Sequence, residues 1–179
     1  IAVLGSKMDE LKKLIQESSI KGTCEIANDN AEGQVIISGE INAINSFQKI
    51  LKENKKKAIP LNVSAPFHCS LMNSAAEKMK EKIESINFKK PNTDIICNVT
   101  SKPEHDPEKI KKLLVEQIYS TVRWRESIIY MSKENISNFI EIGPGKVLSG
   151  MIKRTVKNTN CFSINSIDDM KNAVNEFKK

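Results

Sequence analysis

Thr23-Cys24-Glu25-Ile26-Ala27, then Asn28-Asp29-Asn30-Ala31-Glu32-Gly33, then Val35-Ile36-Ile37-Ser38-Gly39, is the stretch on which the fold turns. Two apolar runs rich in β-branched residues flank a segment of turn formers, the pattern of two strands joined by a loop. On the N-terminal side, Met8, Leu11, Leu14 and Ile15 recur at the spacing of one helix face. Ser6 is placed to cap that helix, with Asp9 and Glu10 in its first turn. Before it, Ile1-Ala2-Val3-Leu4-Gly5 reads as a strand already under way. On the C-terminal side, Ile41, Ile44, Phe47, Ile50 and Leu51 share a second helix face, which ends in the polar run Lys52 to Lys57. Ala58-Ile59-Pro60-Leu61-Asn62-Val63 is again strand-like, with Pro60 marking an edge or a strand start.

The resulting order, β-α-β-β-α-β over residues 1–63, is the ferredoxin-like plan, and it predicts an antiparallel sheet with two helices on one face. Residues 64–179 read differently. Helical periodicity at Leu71, Ala75, Met79 and Ile83 leads to a strand candidate at Asp94 to Val99, a polar loop at Ser101 to Pro107, and a helix through Ile110, Leu113, Leu114 and Ile118. Helix 124–134, the strand Asn138 to Ile142, a helix with Val147, Leu148, Met151 and Ile152, a short strand near Cys161-Phe162-Ser163 and a final helix near 166–178 complete the chain. Alternating helices and short apolar strands predict a parallel α/β layer. Three strands are too few for a covered sheet of this kind, so this part is expected to belong to a larger sheet whose other strands precede residue 1. The stretch at Ile1 has no initiator Met, basic leader or cleavage site, so it is expected to be neither a signal peptide nor a natural start.

The chain has 179 residues, 39% of them hydrophobic and 28% charged, which argues against global disorder and allows one large domain or two small ones. Its apolar runs, such as Val35-Ile36-Ile37 and Leu113-Leu114-Val115, are far too short to span a membrane. The net charge of +6 is carried almost wholly by Lys, the only arginines being Arg123, Arg125 and Arg154. Lys reads bases and phosphates poorly in comparison with Arg, so a nucleic-acid partner is not expected. A solvated Lys-rich surface and a basic face for an acidic protein both fit better, and a compositional bias of the source genome competes with either. Phe47 is the only aromatic residue before Phe67, which leaves a ferredoxin-like RNA-binding sheet without its stacking platform. Cys24, Cys69, Cys97 and Cys161 form no C-x-x-C pair, and with two histidines in the chain no metal site is expected. Reduced, buried thiols in a cytoplasmic or organellar matrix protein are the expectation.

His68, between the last strand of the first segment and the next helix, is the candidate for acid-base work, because clefts form at such junctions and imidazole titrates near neutrality. Its neighbour Cys69 is not expected to act with it, since adjacent side chains diverge and Cys69 fits the start of the following helix. Gly143-Pro144-Gly145-Lys146 is neither a P-loop nor a dinucleotide fingerprint and reads as a tight strand-to-helix turn. His105, in Lys102-Pro103-Glu104-His105-Asp106-Pro107, reads as solvated.

These residues converge on a resemblance. Val63-Ser64-Ala65-Pro66-Phe67-His68-Cys69-Ser70-Leu71-Met72, Phe88 with Pro91, Cys97-Asn98-Val99, Gln117 to Trp124 and Glu141 to Gly150 together resemble the malonyl-CoA:acyl carrier protein transacylases. Asn28-Asp29-Asn30 followed by Gly33-Gln34-Val35-Ile36-Ile37-Ser38-Gly39 resembles the N-x-N-x-x-G-Q-x-V-I-[SA]-G segment of that family. The resemblance runs through essentially the whole chain in unbroken order. It implies a serine in a nucleophile elbow that takes malonyl from coenzyme A and passes it to the phosphopantetheine thiol of acyl carrier protein. His68 matches the catalytic histidine, Gln117 the residue whose main-chain carbonyl orients it, and Asn28 and Asn30 the asparagines lining the cleft. Phe67 matches a bulky position that disfavours a branched acyl group, a preference worth about 1–3 kcal/mol for one methyl, with aromatic packing between subdomains as its structural reading. Lys56, Lys57, Lys153 and Arg154 are the candidates for contact with the acidic carrier. No G-x-S-x-G occurs, so the nucleophile, the malonate-binding arginine and the oxyanion glutamine are expected before Ile1, and none of the three arginines takes over the clamp.

The resemblance thus implies an α/β chain: a ferredoxin-like small subdomain at 1–63, and at 64–179 the C-terminal portion of an α/β-hydrolase-like acyltransferase subdomain. It implies a protein of fatty acid synthesis with no bound cofactor, monomeric when complete, in the cytoplasm or in the matrix of a plastid-like organelle or mitochondrion. Alone, these residues are expected to be inactive. A polyketide or multifunctional fatty acid synthase domain, and a non-catalytic ferredoxin-like binding module, are the alternatives.

Overall fold

The strand that opens the chain lies inside its sheet. In the computed structural model, which describes residues 1–177, β1 (Ala2–Leu4) pairs antiparallel with both β3 (Gln34–Gly39) and β4 (Lys57–Ile59), and β2 (Cys24–Ala31) adds outside β3. The order is β2-β3-β1-β4. Helices α1 (Met8–Glu17) and α2 (Ile41–Glu53) connect the strands and share their apolar face. Val3, Ile26, Val35 and Ile37 from the strands meet Leu11, Ala43, Phe47 and Leu51 from the helices in one buried cluster. Val3, Leu11, Phe47 and Leu51 are fully buried, each contributing about 1.5–3 kcal/mol of transfer free energy. Two glycines are sterically required. Gly33 adopts φ +72° in the β2–β3 turn, and a Cβ on Gly39 would stand 2.0 Å from the Thr23 carbonyl oxygen.

Four local expectations are corrected. Asn28, Asp29 and Asn30 do not form a turn; β2 continues to Ala31, and the reversal is confined to Glu32 and Gly33. Register shifts at Ile26/Asn28 and Asp29/Ala31 mark bulges, and Val122 pairs with this stretch from outside. Asp29 N–H donates to Val122 O at 2.9 Å and Val122 N–H to Ala27 O at 2.8 Å, so the polar residues stay extended because a distant segment supplies their hydrogen bonds. Ser6 does not cap α1, whose N-cap is Lys7 without a side-chain bond; buried Ser6 accepts from Lys56 Nζ instead. The strand expected at 58–63 stops at Ile59, where Pro60 removes the next ladder donor. The strand expected at 94–99 shrinks to β5 (Ile95–Ile96), which pairs antiparallel with β6 (Pro103–Glu104) and not with a parallel layer. The intervening turn folds the chain back, closed by Ser101 N–H to Cys97 O at 2.8 Å with Ser101 at φ +54°.

A 3₁₀ turn (Ser70–Met72) precedes α3 (Asn73–Glu84), and α4 (Pro107–Glu116) starts at a cap in which Asp106 Oδ1 accepts from Glu108 N–H at 2.9 Å. Helix α5 (Trp124–Lys133) spans the point where the chain divides into two compact units, Ile1–Ser127 and the residues from Ile128 onward. The division expected at 63/64 follows a change of topology and does not coincide with this one. In the second unit, β7 (Asn138–Ile142) and β8 (Asn160–Ile164) pair in parallel around α6 (Val147–Thr155), and α7 (Ile167–Phe177) follows. Residue 178 of the last expected helix lies outside the described residues. The fold is mixed α/β. Among the described residues, no helix is long and apolar enough to cross a membrane.

Candidate functional site

His68 sits at a backbone position that side chains rarely adopt, with φ +58°. Its neighbours hold it there. Cys69 is fully buried and its thiol donates to Pro66 O at 3.1 Å. Ser70 donates both its N–H, at 2.9 Å, and its hydroxyl to the carboxylate of Glu25 on β2. The half-buried imidazole places Nδ1 2.8 Å from the main-chain oxygen of Gln117. A carbonyl oxygen only accepts, so Nδ1 carries the hydrogen in the neutral ring and Nε2 keeps a free lone pair.

Gln117 is the C-cap of α4, where its main-chain N–H still bonds Leu113 O at 3.0 Å. Its side-chain oxygen accepts from Asn98 Nδ2 at 2.9 Å. Arg123 grips the loop that carries Asn98: its N–H donates to Asn98 O at 3.2 Å, and Nη1 to Val99 O and Thr100 O at 3.1 and 3.3 Å. The same guanidinium pairs with Glu126, whose carboxyl is held below its ordinary range by that hydrogen bond. Arg125 pairs with Asp29. Both guanidiniums are therefore paired with carboxylates of the chain itself.

The remaining expected site residues are spread out. Asn28 and Asn30 flank buried Asp29 on β2, and Phe67 stands 47% exposed beside His68. Lys57 is exposed, whereas Lys56 has turned inward, its side chain 16% exposed and bonded to Glu10 and Ser6. Lys153 and Arg154 lie exposed on α6 in the second unit. Burial pushes the Cys24 thiol up to about 11 and raises those of Cys69 and Cys97, so none of these three is a ready nucleophile near neutrality. Among the described residues, no group of three or more His, Cys, Asp or Glu could hold a metal.

The Gly143-Pro144-Gly145 turn is a structural device. Glu141 accepts from the N–H groups of Leu148 and Ser149 at 3.0 and 2.8 Å, filling the helix terminus that a phosphate would need. His105 lies in solvent with Nδ1 3.1 Å from Asp94 Oδ1. A cavity of about 270 Å³ in the first unit is lined by Ser6, Asp9, Asp29 and Arg125, and His68 does not border it. Sequence reasoning missed Glu25, Arg123 and the Asp29–Arg125 pair, whose partners lie 45, 24 and 96 residues away and leave no local pattern. Asn98 fell within a recognised stretch but carried no assigned role.

Residues 8–179 match the acyl transferase domain family. A malonyl CoA-acyl carrier protein transacylase from Bacillus subtilis is 37% identical, over 99% of this chain and 57% of its own length. The crystal structure of an acyl-carrier-protein-S-malonyltransferase from Bartonella henselae gives a TM-score of 0.93 at 35% identity, covering 99% of this chain and 57% of that one. A type II PKS acyl-carrier protein in complex with its malonyl-transacylase gives 0.92 at 32% identity, covering 98% and 57%. The chain thus spans somewhat over half the length of the relatives it matches. With a match that runs from α1 to the last residue and includes the loop of His68, this chain belongs to the acyl transferase domain family.

Proposed function

We propose that the protein containing these residues transfers malonyl from coenzyme A to acyl carrier protein through a seryl ester, with His68 as general base and acid. The reading is carried by one observation: the His68 ring has a neutral carbonyl, that of Gln117, as its Nδ1 partner. In most catalytic triads a carboxylate fills that place. A carbonyl fixes the same tautomer and adds no negative charge beside an anionic malonyl group. The similarity to malonyl transacylases supports the substrate.

In the proposed cycle Nε2 takes the proton of the serine hydroxyl as the oxygen attacks the malonyl thioester. The C–S bond breaks, and the imidazolium returns the proton to the coenzyme A thiolate. Nε2 then takes the proton of the phosphopantetheine thiol, whose sulfur attacks the seryl ester, and the serine is reprotonated as it leaves. The serine belongs to chain outside these 179 residues, so the residues alone are proposed to be inactive. Malonyl-CoA is a substrate, and the transfer calls for no bound cofactor.

Asn28 and Asn30 are proposed to line the cleft, and Phe67 to crowd a branched acyl group. Lys57, Lys153 and Arg154 are proposed to meet the acidic carrier; the inward pairing of Lys56 with Glu10 weakens its candidacy. Residues 1–63 are proposed as a ferredoxin-like small subdomain, a reading supported by the β2-β3-β1-β4 order, and 64–179 as part of an α/β-hydrolase-like subdomain. A monomer in a reducing cytoplasm or organellar matrix completes the proposal. The similarity to a malonyl-transacylase bound to a PKS carrier favours a second reading, in which the acceptor is a polyketide carrier protein.

The test is to incubate the complete protein with malonyl-CoA and carrier protein and to follow both by mass spectrometry. Malonyl on the carrier thiol and on one serine of the enzyme is the expected result. Malonyl-CoA recovered intact beside an unmodified carrier would overturn the reading.

A further inference from the structure

We infer that Asn98 is a positioning residue that aims His68 through Gln117. This rests on the reading of His68 as the general base. A carbonyl that orients a histidine offers one neutral acceptor, and its direction depends on the residue that bears it. Gln117 stands where α4 gives way to tighter bonding: Ile118 N–H goes to Val115 O at 3.1 Å and Tyr119 N–H to Glu116 O at 3.2 Å. These are i→i−3 bonds, so beyond Gln117 the regular α-helical ladder no longer fixes the peptide plane. The side chain supplies the second anchor. With its N–H on Leu113 O and its side-chain amide on Asn98, Gln117 is tied on both sides of the carbonyl that faces Nδ1.

Asn98 is held in turn by a loop with little freedom. Ser101 N–H to Cys97 O at 2.8 Å and Cys97 N–H to Lys102 O at 3.2 Å close it, and buried Ser101 bonds Arg123 O through its hydroxyl at 3.2 Å. Arg123 adds three bonds to successive carbonyls of the loop, those of Asn98, Val99 and Thr100. A loop fixed this firmly around one outward-reaching amide is a support for whatever that amide holds, and it holds Gln117.

The test uses the complete protein and two variants, Asn98→Ala and Gln117→Ala; the second removes the side-chain amide and keeps the carbonyl. Imidazole nitrogen NMR reads the His68 tautomer, with His105 the only other histidine of these residues. Steady-state malonyl transfer is measured in parallel. Wild type is expected in the Nδ1–H tautomer, and each variant is expected to become a mixture. Each loses about 2- to 10-fold in kcat with KM for malonyl-CoA unchanged, the scale of one hydrogen bond. The double variant is expected to be no worse than either single one. An unchanged tautomer and kcat in both variants, or a double loss equal to the product of the single losses, would overturn the inference. If the tautomer shifts in a protein that transfers no malonyl, the positioning stands and the transacylase reading fails.

Discussion

Arg125 grips Asp29 in a fork across 96 residues of chain: Nε lies 3.0 and 2.9 Å from the two carboxylate oxygens and Nη2 2.8 Å from one of them. Asp29 is 1% exposed. The pair fastens the bulged end of β2 to the segment around Val122 and thereby keeps Asn28 and Asn30 in an extended strand. Removing the guanidinium leaves a buried, unpaired carboxylate. Arg125→Met is expected to destabilise the chain by about 3 kcal/mol in urea unfolding, and Asp29→Leu combined with Arg125→Met to recover most of that. A wild-type midpoint for Arg125→Met would show that the pair contributes nothing.

Glu25 is predicted to hold the His68 loop. Its carboxylate takes both donors of Ser70, two residues beyond His68. In Glu25→Ala the Ser70 amide should exchange about 10-fold faster, as expected for a lost hydrogen bond of about 1.4 kcal/mol to a charged acceptor. Amides of the α2 core, such as that of Phe47, should exchange as before. Unaltered exchange at Ser70 would remove Glu25 from this role.

The α6 terminus should respond to acid. Hydrogen bonds from Ser149, then Leu148, hold the Glu141 carboxyl below its ordinary value of 4.5. A carboxyl lowered in the folded state contributes stability that is complete above the unfolded value and is lost as pH falls through the folded one. Thermal stability of the second unit is therefore expected to be flat from pH 7 to about pH 5 and to decline below. Glu141→Ala should cost about 0.5–1 kcal/mol at pH 7, the low end for a cap on an exposed helix end, and should flatten part of the acid decline. An acid profile identical to wild type would contradict this.

The two adjacent lysines should separate in function. Lys57→Glu in the complete protein is expected to raise KM for carrier protein several-fold at low salt, with KM for malonyl-CoA unchanged and the effect shrinking as salt rises. Lys56→Glu faces Glu10 and should instead lower stability. Equal effects of both substitutions on carrier KM would sink the distinction.

What was legible from sequence followed local periodicity. The spacing of Met8, Leu11, Leu14 and Ile15 and of Ile41, Ile44 and Phe47 marks α1 and α2 closely, and the run Val35 to Gly39 marks β3. Asn28 to Asn30 misled because their strand is sustained by Val122 and Arg125, neither of which leaves a trace nearby. The segment 94–99 misled because its apolar run is strand-like, while the turn that reverses it depends on Ser101 at positive φ, a conformation its residue type does not announce. At the site, His68 stands out by its place between a strand and a helix, whereas Gln117 is named through resemblance alone. Asn98, Glu25 and Arg123 emerged only from hydrogen bonds between distant segments.

The account stands most directly on one rate: single-turnover malonyl transfer to carrier protein by His68→Ala in the complete protein, with folding checked by circular dichroism. Loss of the general base is predicted to slow transfer by about 10²- to 10⁴-fold with an unchanged spectrum. Transfer at the wild-type rate by a folded His68→Ala protein would contradict the account.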